Sequence, residues 1–196
     1  MKAITNQETR KWCSQDAVGL KMTRNDVLRY KDPDEHKFFV TIPEEHREIV
    51  VLARDVLTFR GELNFSGGML WLRWWEIGSP QLARVGWRIL EDIRRAHGES
   101  RSLEVAPSQL FRDDEFVELH AFLTQVMCFG WVAEFVPFTQ GFFMHFKDNR
   151  QVCFFARAAE TLQELRTVLK EWNPTDEDPM IVKMAAMEEA RKANKK

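Results

Sequence analysis

The sequence predicts an α+β fold in which an antiparallel sheet carries packed helices on at least one face. Some stretches repeat apolar residues every three to four positions, as helices do, and others alternate apolar with polar residues, as strands do. Short turns join the strand-like stretches, and strands joined by tight turns are antiparallel. We expect the sheet to be built from a two-stranded unit and a three-stranded unit.

The first half of the chain is predicted to run from a polar extension through a strand and a helix into a hairpin. Pro43 suits the first position of a helix, and the run KFFVTI before it has the content of a strand. Gly67-Gly68 interrupts two alternating runs like a hairpin turn, which would place Phe65 opposite Leu70. The predicted elements are an extension at 1–37, a strand at about 37–42, a helix at about 44–57 and strands near 58–65 and 69–77.

The second half is predicted to contain two helices, three strands and another helix. Ser79 and Pro80 supply an N-cap and a first helical residue, while Gly98 and Gly130 each follow a helical stripe as a C-terminal stop. The predicted elements are helices at about 80–98 and 113–130, strands at about 131–138, 141–147 and 151–156, and a helix near 158–172.

The length of 196 residues suits one domain with short appendages. We expect an N-terminal extension at 1–37, a single α+β domain at 38–174, and a linker with a helical tail at 175–196. The stretches 44–98 and 113–172 share an αββα-like order. That likeness fits either an internal duplication or two copies of a common unit.

Composition narrows the classes of partner. With 28 basic and 30 acidic residues the net charge is −2, so no overall field attracts nucleic acid or anionic membranes. The three cysteines are odd in number and widely spaced, which favours reduced thiols over a disulfide framework. Neither an apolar signal core nor an apolar run long enough for a membrane span is present in the sequence. We therefore expect a cytoplasmic protein without membrane or nucleic-acid partners.

The run MLWLRWWEI at 69–77 places three tryptophans and an arginine on one predicted strand. Alternation assigns Trp74 to the core face and Trp71, Arg73 and Trp75 to the other face. Two bare tryptophans side by side would form a patch of the size that a contact usually covers. The cover could be the N-terminal extension or tail of the same chain, a protein partner or second copy, or a ligand or single-stranded nucleic acid stacked on the rings.

A second candidate site lies in the predicted three-stranded unit. A turn at Thr139-Gln140 places Glu134 directly opposite His145, and a third strand would place Phe154 on the other side of that histidine. A carboxylate beside an imidazole can orient it, which is how a general base is often built. A cross-strand ion pair without a catalytic role would have the same pattern.

The sequence lacks the motifs of common metal and cofactor sites. It contains neither the HExxH motif, nor a phosphate-binding loop, nor a GxSxG motif. We therefore expect no metal or cofactor. Our leading hypothesis is a non-enzymatic binding or regulatory protein that contacts a protein partner or its own copy through Trp71, Arg73 and Trp75. The alternative is a small enzyme or ligand-binding domain with its site around Glu134 and His145.

Overall fold

A computed structural model describes residues 1–15, 20–22, 28–30, 36–58, 67–74, 80–138 and 141–193. Within these ranges the helices, in chain order, are α1 Asn6–Gln15, α2 His46–Leu57, α3 Pro80–Ala96, α4 Phe116–Phe129, α5 Ala159–Val168 and α6 Pro179–Ala193. The strands are β1 Lys2–Ile4, β2 Leu20–Met22, β3 Leu28–Tyr30, β4 His36–Thr41, β5 Gly68–Trp74, β6 Ser108–Phe111, β7 Val132–Pro137, β8 Phe142–Lys147 and β9 Gln151–Ala156.

The predicted α+β class with an antiparallel sheet is confirmed. Seven strands form one sheet in the order β1-β6-β5-β7-β8-β9-β4, and every neighbouring pair is antiparallel. Strands β2 and β3 form a separate antiparallel pair. None of the helices in the described ranges is long and apolar enough to cross a membrane.

The predicted division into a two-stranded and a three-stranded unit is wrong, because β5 lies inside the large sheet. Its Leu70 pairs with Gln109 of β6 on one side and with Phe135 of β7 on the other. Both edges of β5 are therefore occupied at this point by β6 and β7. The strand predicted near 58–65 falls outside the described residues.

Gly67, just before β5, and Gly68, its first residue, allow close approach within the sheet. Gly67 has a φ of +78°, and a Cβ added there would lie 2.1 Å from the carbonyl oxygen of Phe111. A Cβ on Gly68 would lie 2.5 Å from the ring of Phe135. The two glycines in the sequence therefore mark the close contacts of β5 with β6 and β7.

Helices cover one face of the sheet and bury the larger core. Helices α2 and α3 both pack on α4, and α5 packs on β4 and β9. Their apolar side chains meet one face of the central strands in a single cluster that includes Leu52, Leu123, Leu165, Leu70, Phe135 and Phe146. The αL conformation of Gly130 ends α4, as its position in the sequence predicts.

The opposite face of the sheet is covered by the N-terminal part of the chain. Residues of α1, β2 and β3 form a second buried cluster with Met69, Trp71, Val136, Phe143 and Phe155 of the sheet. The hydroxyl of Thr9 in α1 donates to Ser108 Oγ at 2.6 Å, and β1 pairs with β6 at the sheet edge. This packing turns a predicted half-exposed sheet face into a second core.

Candidate functional site

A single row of side chains crosses the covered face of the sheet. Cα partners in neighbouring strands of an antiparallel sheet lie about 4.5–5.5 Å apart and point their side chains to the same face. The two candidate sites of the sequence therefore belong to one continuous row. Its members, in order, are Ser108, Trp71, Glu134, His145, Cys153 and Phe39.

Trp71 is buried and Trp74 is exposed, which is the reverse of the prediction. Trp71 is 4% exposed and donates from Nε1 to Asn6 Oδ1 of α1 at 2.9 Å, whereas Trp74 is 53% exposed. Trp71 is buried because the N-terminal part of the chain covers it, whereas Trp74 follows a β-bulge at Arg73, where the register against β7 shifts between Leu72 and Trp74. A bulge redirects the side chains that follow it, so simple alternation fails there. Trp75 lies outside the described residues.

The predicted cross-strand pair of Glu134 and His145 is confirmed by the register of β7 and β8. The carboxylate of Glu134 is fully buried, and its Oε1 accepts from Arg73 Nη1 at 3.1 Å. His145 Nδ1 lies 3.5 Å from the same oxygen, and the backbone N–H of Leu28 donates to it at 3.5 Å. Glu134 Oε2 and His145 Nδ1 have no hydrogen-bond partner in the described part of the chain.

Cys153, rather than Phe154, lies opposite His145 on β9. Lys147 pairs with Gln151, so the loop between β8 and β9 is one residue shorter than the sequence suggested. A one-residue change of register exchanges the two faces of a strand. The loop turns at Arg150, whose φ of 59° is unusual for an arginine, and the sequence gives little sign of it. The thiol of Cys153 was therefore missed.

The same change of register moves neighbouring aromatic residues. Phe154 packs among the helices in the larger core, where it stacks on Phe38 with ring centroids 4.7 Å apart. Phe155 lies in the second cluster, where it stacks on Phe143 with ring centroids 4.6 Å apart.

A cleft of about 330 Å³ opens beside His145. One end of the row, formed by His145, Cys153 and Phe39, is the floor of the cleft. Residues of β3 and of the start of α6 form its walls. His145 is 19% exposed there, while Cys153 is 1% exposed. The cleft thus reaches the row at His145, the histidine that the sequence indicated. Trp71 lies farther along the row, under the N-terminal part of the chain.

Two carboxylates on the cleft wall are engaged by cations of the same chain. Asp178 Oδ2 accepts from Lys147 Nζ at 2.6 Å, and Asp176 forms an ion pair with Arg166. Burial acts to raise the pKa of Asp178, but the hydrogen bonds from Lys147 and from the backbone N–H of Met180 outweigh it and leave the pKa lowered. Because Asp178 Oδ1 accepts that N–H at 3.0 Å, the residue also caps α6.

The thiols of the chain differ in their surroundings. Cys13, Cys128 and Cys153 all lie in the described part of the chain, and none of them forms a disulfide there. Burial, together with the negative charge of Glu134, raises the pKa of Cys13 to about 12, and burial raises the pKa of Cys128. Both thiols therefore stay protonated at neutral pH, and Cys13 lies beneath the N-terminal cover.

Among the described residues, no group of three or more histidine, cysteine, aspartate or glutamate side chains could hold a metal ion. A comparison with protein-family models finds no match, and searches of curated proteins and of solved structures find no similar chain. The function must therefore be argued from the cleft and the row beneath it.

Proposed function

We propose that this chain is a small-molecule-binding domain whose site is the cleft beside His145. The observation that carries the proposal is the position of this cleft over the Glu134–His145–Cys153 part of the row. Binding sites are typically concave and largely apolar, with a few polar groups at fixed positions and a volume of roughly 300–1,000 Å³. A cleft of about 330 Å³ that holds an imidazole beside the rings of Phe39 and Phe155 matches this description in volume and in its fixed polar group, although its lining is more charged than is typical.

The rigid setting of His145 adds support. Its Nδ1 lies 3.5 Å from a fully buried carboxylate, and Glu134 is itself held by Arg73. Because only 19% of the His145 side chain is exposed, packing restricts the ring before a ligand arrives, which reduces the entropy lost on binding.

The hypothesis of a protein contact through Trp71, Arg73 and Trp75 has less support. It depended on bare aromatic area, and α1 covers Trp71 within the same chain. In the described part of that strand only Trp74 is a strongly exposed aromatic residue. Single exposed hydrophobic residues are normal on protein surfaces.

Ligand binding can be tested by NMR on the five histidine side chains. We expect fragments that enter the cleft to shift the imidazole signals of His145 and to leave those of His120 unchanged, since His120 bonds the carbonyl oxygen of Val50 on the helical side. His145→Gln identifies the reporting signal, and His120→Gln is the matched control. Fragments that bind without moving the His145 signal would place the site elsewhere.

Catalysis is a second candidate, favoured by the position of Cys153 directly opposite His145. In nucleophilic cysteine enzymes a thiol lies beside an imidazole that a third group orients, and here the carboxylate of Glu134 lies 3.5 Å from the imidazole. If the imidazole takes the proton of the thiol, iodoacetamide should alkylate Cys153 at pH 6–7 faster in the folded than in the unfolded chain. His145→Gln should remove this acceleration. If the alkylation rate of Cys153 instead follows an ordinary thiol titration, the catalytic hypothesis is contradicted and small-molecule binding remains as the proposed function.

A further inference from the structure

The charged side chains around the cleft are not balanced. Three cations line it, Arg29, Lys37 and Lys147, against the two carboxylates of Asp176 and Asp178. Asp176 is also neutralised by Arg166, which contributes its charge from outside the lining. Among the described residues, the side chains lining the cleft therefore carry more positive than negative charge, in a chain whose net charge is −2.

The cations are held against aromatic rings of the cleft. The guanidinium of Arg29 lies 4.8 Å from the ring centroid of Phe155. The Nζ atoms of Lys147 and Lys37 lie 5.0 Å and 6.0 Å from the ring centroid of Phe39. Such contacts hold a cation near an apolar surface. They place positive charge next to the faces on which a ligand's carbon skeleton would rest.

Lys37 is the lining cation that is most available to bind a ligand. Lys147 is engaged by Asp178, whereas the contact of Lys37 in the described part of the chain is with the ring of Phe39. A cationic ligand would find both carboxylates already paired. An anion would meet an ammonium group that has no carboxylate partner among the residues that the structure describes.

We propose that the cleft binds a small organic anion, with its charged group near Lys37 and Lys147 and its remaining polar group on His145. This inference rests on the proposed function, because it names the chemical class of ligand for the same cleft. The ligand would carry a compact anionic group, such as a carboxylate, on an apolar body.

Cys153 at the cleft floor allows a test before any ligand is identified. Iodoacetate and iodoacetamide are nearly equal in size, but only iodoacetate is an anion. The alkylation rate of each cysteine is measured for both reagents by peptide mass spectrometry, in the folded chain and in the chain unfolded in guanidinium. The ratio of the two rates in the unfolded chain corrects for the intrinsic reactivity of the reagents.

We expect the iodoacetate-to-iodoacetamide ratio at Cys153 to be at least about threefold higher in the folded than in the unfolded chain, because nearby positive charge concentrates the anion. Lys37→Gln should return the ratio toward its unfolded value, and 1 M salt should do the same. Lys170→Gln is the matched control, since Lys170 is exposed and does not line the cleft. Circular dichroism verifies that both variants are folded.

The possible failures are distinguishable. Equal ratios in the folded and unfolded chains, or a ratio that Lys37→Gln leaves unchanged, would overturn the anion assignment while leaving an accessible cleft. If neither reagent alkylates Cys153 in the folded chain, the anion assignment falls, because no anion then reaches the cleft floor. The proposed function falls as well only if fragments also leave the imidazole signals of His145 unchanged.

Discussion

Replacing Trp71 by alanine should destabilise the protein far more than the same change at Trp74. Trp71 is 4% exposed and Trp74 is 53% exposed, although only three positions separate them in one strand. A fully buried tryptophan removes about 150–250 Å² from water, which at about 25 cal/mol/Å² corresponds to roughly 4–6 kcal/mol. Since Trp74 buries about half as much, its upper limit is roughly 2–3 kcal/mol.

Measured large-to-small substitutions indicate about 3–5 kcal/mol for Trp71→Ala. In a chain of 196 residues, that loss should lower Tm by about 6–20 °C. Two further contacts disappear with the ring: the hydrogen bond from Nε1 to Asn6 Oδ1, and the guanidinium of Arg73 stacked 4.9 Å from the ring centroid. Trp71→Phe separates these effects, because it keeps most of the apolar area and should cost about 1–2 kcal/mol.

Urea unfolding followed by far-UV circular dichroism measures these differences without relying on the fluorescence of the remaining tryptophans. Trp74→Ala is the matched control in the same strand. Equal destabilisation by Trp71→Ala and Trp74→Ala would refute the intrachain cover. Loss of self-association with little loss of stability in Trp71→Ala would restore the hypothesis of a contact face.

Three further predictions follow from the same packing. Asp178 has a lowered pKa, so its ionised form stabilises the start of α6 above the ordinary aspartate pKa of ~3.9. This contribution should disappear as the pH falls below about 4. The amide proton shift of Met180 should report the change, and Asp178→Asn should abolish it. Gly68→Ala should cost about 1–3 kcal/mol in urea unfolding, because the new Cβ would lie 2.5 Å from the buried ring of Phe135, and an unchanged stability would contradict the close approach of β5 and β7. Light scattering across a dilution series should give a constant mass, since Trp71 is covered within the chain; a dimer that Trp74→Ala dissociates would instead support association through that strand.

The sequence predicted those parts of the fold that depend on local patterns. Helices α2 to α5 follow apolar spacing and terminal signals that lie within each segment. The pair of Glu134 and His145 was also predictable, because β7 and β8 are close together in the chain and a short connection limits the register of the strands that it joins.

The remainder depended on distant or irregular features. β5 pairs with β6, which follows a whole helix later in the chain, and the pair β1–β6 joins residues about a hundred positions apart, as with Lys2 and Leu110. No periodicity within a strand specifies such partners. The bulge at Arg73 and the turn at Arg150 then changed which face Trp74 and Cys153 occupy. These local irregularities explain why the histidine of the cleft was predicted and its cysteine was not.

The ion pair beneath the cleft should show an asymmetry between its two members. Glu134 is fully buried, whereas the side chain of Arg73 is 18% exposed. Removing one partner of a buried pair leaves an uncompensated charge, typically at a cost of about 3–5 kcal/mol. Arg73→Met leaves the carboxylate of Glu134 buried with only the backbone N–H of Leu28 and the imidazole of His145 near it.

Glu134→Gln leaves the opposite situation, because a guanidinium that already reaches solvent can turn further toward water. We therefore expect Arg73→Met to cost about 3–5 kcal/mol and Glu134→Gln about 1–2 kcal/mol at neutral pH. The double variant should cost less than the sum of the two, because neither residue then leaves a stranded charge. Urea unfolding of the wild type, both single variants and the double variant gives the coupling energy directly. Additive losses, or a larger loss for Glu134→Gln than for Arg73→Met, would mean that Arg73 does not hold the carboxylate, and the orientation of His145 would then need another source.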